Sequence, residues 1–200
     1  MASVFDTIKQ AAGQGNKSLN WYRNTVNRLV GKTSATQLFR QGTLNTRPSI
    51  GRLNLFGYDP KLKRTLPYYD VFPLVLPLEP IPGGFMGMNF HYLPPLLRTR
   101  LLSRVQQYAD DKKFDKGTKF DVSYNDLKNV NIVKPTIKKY LYSHVRTGFL
   151  RINADEAATA VFLPVQRFKK ASDAKVYSDS RSFIYWQYLD NDYLYQVHLI

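Results

Sequence analysis

Apolar residues along this chain switch between helical spacing and alternation, and the switches divide it into elements. Val4, Phe5 and Ile8 predict a short first helix. Ser18 caps a second, in which Leu19, Tyr22, Val26, Leu29 and Val30 recur at helical spacing until Gly31, with Arg23 and Arg28 on the opposite face. Residues 32–49 are rich in Thr, Ser, Gln and Gly without a period, which predicts an extended linker. Pro95 stands at the first position of a later helix with Leu96, Leu97, Leu101, Leu102, Val105 and Tyr108 inward and Arg98, Arg100 and Arg104 outward. The mixed-sign run 109–121 predicts a surface loop or hairpin. A further helix is expected from Pro135, with Ile137, Tyr140, Leu141, His144 and Val145 inward, ending before Gly148. Phe149 to Asn153 predicts a strand. Asn153 or Asp155 then caps an Ala-rich helix through Val161, which Pro164 stops. Residues 172–186 favour helix, with modest periodicity in Val176, Tyr177, Phe183 and Trp186. Residues 188–200 alternate apolar with polar side chains and predict a terminal strand.

Between the linker and the Pro95 helix lies a block in which no long helix can form. Nine of the eleven prolines fall between Pro48 and Pro95, among Gly57, Gly83, Gly84, Gly87 and eight aromatic residues. Each proline removes a backbone donor and fixes φ, yet the block is too apolar to stay disordered. It predicts short strands before and after a Gly83-Gly84 turn. The fold class expected is therefore α+β: a small proline-rich antiparallel β core with packed helices and an extended basic N-terminal arm. The division is residues 1–50 as arm, with one or two short helices, and 51–200 as a single α+β domain.

Charge sharpens the division. The chain of 200 residues carries 29 basic and 15 acidic residues, a net +14, well beyond what solubility requires. Residues 1–52 hold Lys9, Lys17, Arg23, Arg28, Lys32, Arg40, Arg47 and Arg52 against Asp6 alone, a net +7. Such segments contact nucleic acid or acidic protein surfaces, because neutralising phosphates releases counterions. A purely solubilising tail is the competing reading, but Trp21, Tyr22, Val26, Leu29 and Phe39 do not suit a tail that touches nothing. The absence of cysteine excludes disulfides and thiolate metal sites. No run approaches a membrane span, and the first residues lack the apolar core of a signal peptide, so a soluble, unprocessed protein is expected.

Candidate chemistry is sparse. His91, His144 and His198 are not paired at metal-ligand spacing, and GGFMGMN matches neither the dinucleotide fingerprint nor the Walker loop. No Gly-x-Ser-x-Gly elbow is present. A metal-dependent nuclease could draw on Asp111 and Lys113 with Asp70 or Glu79; a glycosidase could draw on Asp155 and Glu156, but helix capping explains that pair better. No cofactor is expected, and the chain reads as non-enzymatic. Basic and aromatic side chains interleave in Lys138, Lys139, Tyr140, Tyr142, His144 and Arg146, and again in Arg167, Phe168, Lys169 and Lys170. That pattern suits base stacking and equally suits protein interfaces.

The runs FGYDPKLKRTLPYYDVFPLVLPLE, GGFMGMNFHYLPPLLR and FLPVQRFKKASDAKVYSDSR cover about a third of the chain. They resemble small virion proteins of T-even-type tailed phages, labelled DNA end protector or structural protein. The resemblance implies a non-enzymatic component of the particle at the head-to-tail junction or along the tail and baseplate axis. The leading reading is a virion structural subunit whose basic arm docks on neighbouring virion proteins in a symmetric assembly, with no membrane partner. The alternative is a DNA-end-binding protector that contacts packaged double-stranded DNA ends; a head-completion nuclease is the third. For contacts with partner subunits or DNA the candidates are Arg23, Arg28, Arg40, Arg47 and Arg52 as charges and Trp21, Tyr22 and Phe39 as anchors.

Overall fold

In the computed structural model, which describes residues 3–13, 17–28 and 33–197, an antiparallel sheet forms the centre. Its strands are β1 (Leu44–Asn45), β2 (Leu53–Leu55), β4 (Leu74–Ile81), β5 (Gly84–Asn89), β6 (Ile137–Leu141) and β7 (Phe149–Ile152), in the order β1-β7-β2-β4-β5-β6. β3 (Tyr69–Asp70) pairs separately with β8 (Phe168–Lys169). The helices are α1 (Val4–Ala12), α2 (Leu19–Arg28), α3 (Ala35–Gln41), α4 (Pro95–Val105), α5 (Tyr124–Leu127), α6 (Ala157–Ala160) and α7 (Asp173–Val197). The α+β class follows from this arrangement.

The proline block builds the long hairpin at the centre. Ile81 pairs with Gly84, so Pro82 and Gly83 form a two-residue turn in which Gly83 takes φ of 73°, a conformation that favours glycine. Gly84 is needed for a second reason: a Cβ there would lie 1.9 Å from the Tyr140 carbonyl oxygen of β6. Proline inside a central strand removes a ladder donor. β4 accommodates Pro77 and Pro80 because its pairing with β2 is confined to Leu74 and Val75, and because its register with β5 shifts between Pro77 and Glu79.

Alternation along the strands feeds two buried clusters. Leu53, Leu55, Leu74, Leu76, Leu78, Met88, Leu150 and Ile152 join the larger one under the helices. Phe56, Tyr58, Val75, Phe85, Tyr140 and Phe149 form the smaller, aromatic one. The N-terminal helices do not run free of the body. Phe5, Ile8, Val26, Ala35 and Leu38 are buried in the larger cluster, α2 packs on α6, and Lys9 on α1 pairs with Asp155 and Glu156 at 2.8 and 3.1 Å. In packing, the described residues of α1, α2 and α3 share the larger core with the sheet.

Several expectations are met: Ser18 Oγ caps α2 by accepting from the Trp21 amide, Pro95 opens α4, and Asn153 stands at the N-cap of the turn into α6, where its backbone amide donates to Glu156 Oε2 at 2.9 Å. The expected roles of Leu29, Val30 and Gly31 lie outside the described residues. Four expectations are corrected. The supposed linker 32–49 contains α3, capped by Ser34 and buried through Ala35 and Leu38, two apolar residues too few to reveal a period. The helix expected from Pro135 is instead a 3-10 turn, Lys134–Thr136, followed by β6; five apolar and basic residues fit either period, and the open edge of β5 decides in favour of strand. On α4 the phase is rotated: Arg98 is buried and Leu96 is 59% exposed. Finally, residues 188–197 are helical where a terminal strand is expected, because α7 continues through Val197; once nucleated, a helix extends with one bond per residue and short alternation does not stop it.

Candidate nucleic-acid interface

A cleft of about 700 Å³ opens beside the aromatic cluster. Each wall comes from a different element. Tyr140, Lys138 and Lys139 stand on edge strand β6, and Tyr58 follows β2. Leu62, Leu66 and Tyr68 come from the loop leading into β3, Tyr69 from β3 itself, and Tyr92 from the 3-10 turn after β5. Ser180 and Phe183 on α7 close the third side. Lysine on an edge strand also discourages edge-to-edge pairing, so the β6 lysines have a structural use whatever they bind.

Ring contacts hold the walls. Tyr140 stacks on Phe85 at 5.3 Å between centroids and meets Tyr58 edge-on at 4.9 Å. Tyr68 and Tyr92 lie 6.0 Å apart, and Phe168 of β8 presents its edge to both. Tyr58 hydroxyl accepts from the Leu141 amide at 3.1 Å. The mouth is fastened on the loop side, where Lys170 Nζ donates to the carbonyls of Arg64 and Leu66 at 2.8 and 2.9 Å. Lys63 holds Asp59 at 2.8 Å.

The electrostatics are those of an anion site with neutral rings. Lys61, Lys134, Lys138 and Lys139 line the cleft against two carboxylates, Asp70 and Asp179; Asp70 is engaged by His91 and Asp179 by Lys175. Lys138 Nζ lies 4.3 Å from the centre of the Tyr92 ring and donates to the Pro135 carbonyl at 2.9 Å. Burial pushes its pKa down to about 8, since removing water disfavours the ammonium. Burial also raises Tyr58, Tyr68, Tyr92 and Tyr140, so their hydroxyls keep their protons.

Behind the cleft runs a polar network that no sequence pattern announced. His91, fully buried, donates from Nδ1 to Asp70 at 2.8 Å, and Asp70 also accepts from the amides of Phe72 and Arg167 at 3.0 and 3.1 Å. Burial holds His91 below its usual pKa, while the His91 contact and the two amides keep Asp70 low despite burial. Arg98 reaches from α4 to the carbonyls of Leu93, Val161 and His91, to Gln166, and to the Tyr177 hydroxyl at 2.7 Å. It ties α4 and α7 to the turn that carries Tyr92.

None of the eight residues named from sequence lines this cleft. Trp21 and Tyr22 meet edge to face at 5.2 Å and pack against the larger cluster, and Phe39 packs on Phe72 at 5.9 Å. Arg52 donates to the carbonyls of Lys116 and Gly117 at 2.7 and 2.6 Å, and Arg47 lies 4.6 Å over the Tyr142 ring. Arg23, Arg28 and Arg40 are exposed on α2 and α3. The signal that did point here is the basic and aromatic interleaving at 138–146 and 167–170. Those stretches meet through Tyr92, which touches both Lys138 and Phe168.

The acidic candidates have structural partners. Asp111 accepts from the Lys113 amide and the Thr118 hydroxyl in a surface loop, and Asp70 is interior. Asp155 and Glu156 both bind Lys9. Among the described residues no three His, Asp or Glu side chains come together as a metal site, and no helix is long and apolar enough to cross a membrane.

Comparison with curated proteins and with solved structures gives no match. A family model described as the phage T4 terminal DNA protecting protein matches residues 3–186. That span takes in the aromatic sheet face, the cleft and the Asp70–His91–Arg98 network alike. The chain therefore belongs to the phage T4 terminal DNA protecting protein family.

Proposed function

We propose that this protein binds the ends of phage DNA and shields them from end-dependent nucleases as a non-enzymatic component of the virion. The observation that carries the reading is the cleft: four lysines and five tyrosines converge on it in a chain of a DNA-terminus-protecting family. Lysines supply the sequence-independent phosphate term, and the accessible rings of Tyr68, Tyr69 and Phe183, backed by the buried tyrosines, supply faces for any base. Docking on neighbouring subunits through residues 1–50 has weaker support, because Trp21, Tyr22, Phe39 and Arg52 are already engaged within the chain. Arg23, Arg28 and Arg40 remain available for that second partner.

The test is digestion of a linear duplex by an exonuclease that starts at ends, with an endonuclease cutting internally as control. Protein in excess should slow the first and leave the second unchanged, with an effect that weakens steeply with salt. Undiminished exonuclease digestion at low salt refutes the proposal. Magnesium-dependent degradation by the protein alone, lost in Asp111→Ala, would return the nuclease reading.

A further inference from the structure

We infer that the cleft takes an unpaired nucleotide at the terminus of a DNA strand, so that the protein recognises a frayed or overhanging end in preference to a flush one. The inference rests on the DNA-end reading and specifies its substrate. Three observations carry it. The first is room: about 700 Å³ lies within the range of sites that hold one small ligand, whereas a flush end offers a whole base pair flanked by two backbones. The second is the placing of the rings. Stacking a flush terminal pair calls for a flat, outward platform, but Tyr58 and Tyr140 are buried at the sheet wall, and Tyr68 and Tyr69, on β3 and the loop before it, are half-buried on the facing side. Phe183, 45% exposed, stands on the third wall. A ring entering between these walls must have left its partner base, and unpaired bases present both faces to aromatic side chains.

The third observation is charge. Lys138 is held with its ammonium against the Tyr92 ring and one carbonyl, without a carboxylate bonded to it. Lys139 beside it on β6 is exposed. Lys138 sets a cation against the rings, and Lys139, which the alternation of a strand turns to the opposite face of β6, adds charge at the outer edge of the cleft, so a phosphate following a stacked base finds positive charge there. Fraying a terminal pair requires a few kcal/mol of unpairing and unstacking, which an end already unpaired does not need. Preference for overhangs follows from that difference.

The experiment compares three fluorescent hairpin duplexes of one stem: flush, with two unpaired 3′ nucleotides, and with two unpaired 5′ nucleotides. Competition against closed circular DNA removes binding away from ends. One or both overhangs should bind about 5- to 150-fold more tightly than the flush end, the range of one stacked base. A 2-aminopurine at the unpaired position should lose fluorescence on binding. Phe183→Ala, at an exposed position, and Lys139→Ser should shrink the preference, and Tyr68→Phe should keep what Tyr68→Ala loses. Because Tyr68→Ala removes contacts with Tyr92 and Phe168, its circular dichroism melt is recorded alongside. Equal affinity for all three hairpins, with no fluorescence change, overturns the inference while leaving end protection standing. Failure of every hairpin to bind overturns both.

Discussion

The two faces of the central sheet are both buried, yet they are built from different materials. Under the helices the sheet offers Leu53, Leu55, Leu74, Leu76, Leu78, Met88, Leu150 and Ile152. On the other side it offers Phe56, Phe85, Phe149, Tyr58 and Tyr140, whose rings meet at centroid distances of 4.9 to 6.1 Å. The first face has aliphatic side chains and one thioether, Met88, which fill space and need no hydrogen-bond partners. The second ends in tyrosine hydroxyls, which need hydrogen bonds and find them within the chain, Tyr58 at the Leu141 amide and Tyr140 at Asn89. Burial alone therefore does not mark a structural face; the polar tips distinguish a wall meant only to close from one that can also receive.

That contrast can be broken or sharpened by measurement. The largest effect is expected for Leu76→Ala on the aliphatic face, which removes a fully buried side chain and lowers stability by about 2–5 kcal/mol. Urea unfolding measures it, and exonuclease protection per folded molecule should not change. Loss of protection in the folded fraction would erase the distinction between the faces.

The next effect concerns acid. His91 has a folded pKa below its ordinary 6.5, so as pH falls below that value the unfolded chain takes a proton that the folded chain refuses. Stability then falls with falling pH, with a slope approaching about 1.4 kcal/mol per pH unit for one proton. Asp70, whose folded pKa is also low, adds a second loss where the unfolded carboxyl protonates. Urea midpoints between pH 7 and 5 follow the first window, and His91→Gln should flatten it.

Smaller still is the effect of base on binding. Lys138, with its pKa near 8, loses its charge as pH rises through that value, in a cleft it shares with Lys134, Lys139, Asp70, Asp179 and the tyrosines. The salt dependence of end binding should be shallower at pH 9 than at pH 7 by about 0.7 in the log–log slope, one single-strand phosphate contact. Lys138→Arg should keep the slope constant. Lysine's own contribution to folding runs the other way: its depressed pKa makes stability rise from about pH 8 toward the ordinary lysine range, because the unfolded state there binds the extra proton. The smallest change is expected in the stability of Phe183→Ala, within about 0.5 kcal/mol as for exposed positions generally.

The long hairpin, the Pro95 helix and the capped turn into α6 were legible because prolines, glycines and caps act locally. β6 was not, since Ile137 to Leu141 fits both periods and only the unpaired edge of β5 selects strand. Arg98 was read as solvated because its type is rarely buried; five hydrogen bonds that it donates to the 91–93 turn, the 161–166 loop and α7 make the exception. Charge density pointed to residues 1–52, but the cleft gathers lysines from positions 61 to 139 that no local count collects. What the sequence did show was basic and aromatic side chains interleaved at 138–146 and 167–170; it could not show that Tyr92 joins them.

The fastening of the 61–67 loop by Lys170 has a kinetic consequence. With Arg64 and Leu66 tied by their carbonyls to the residue following β8, the entrance that we propose receives a strand terminus is already held in place. Capture can then proceed at the speed of charge-guided encounter, and the ranking of different termini should emerge in how long each one dwells.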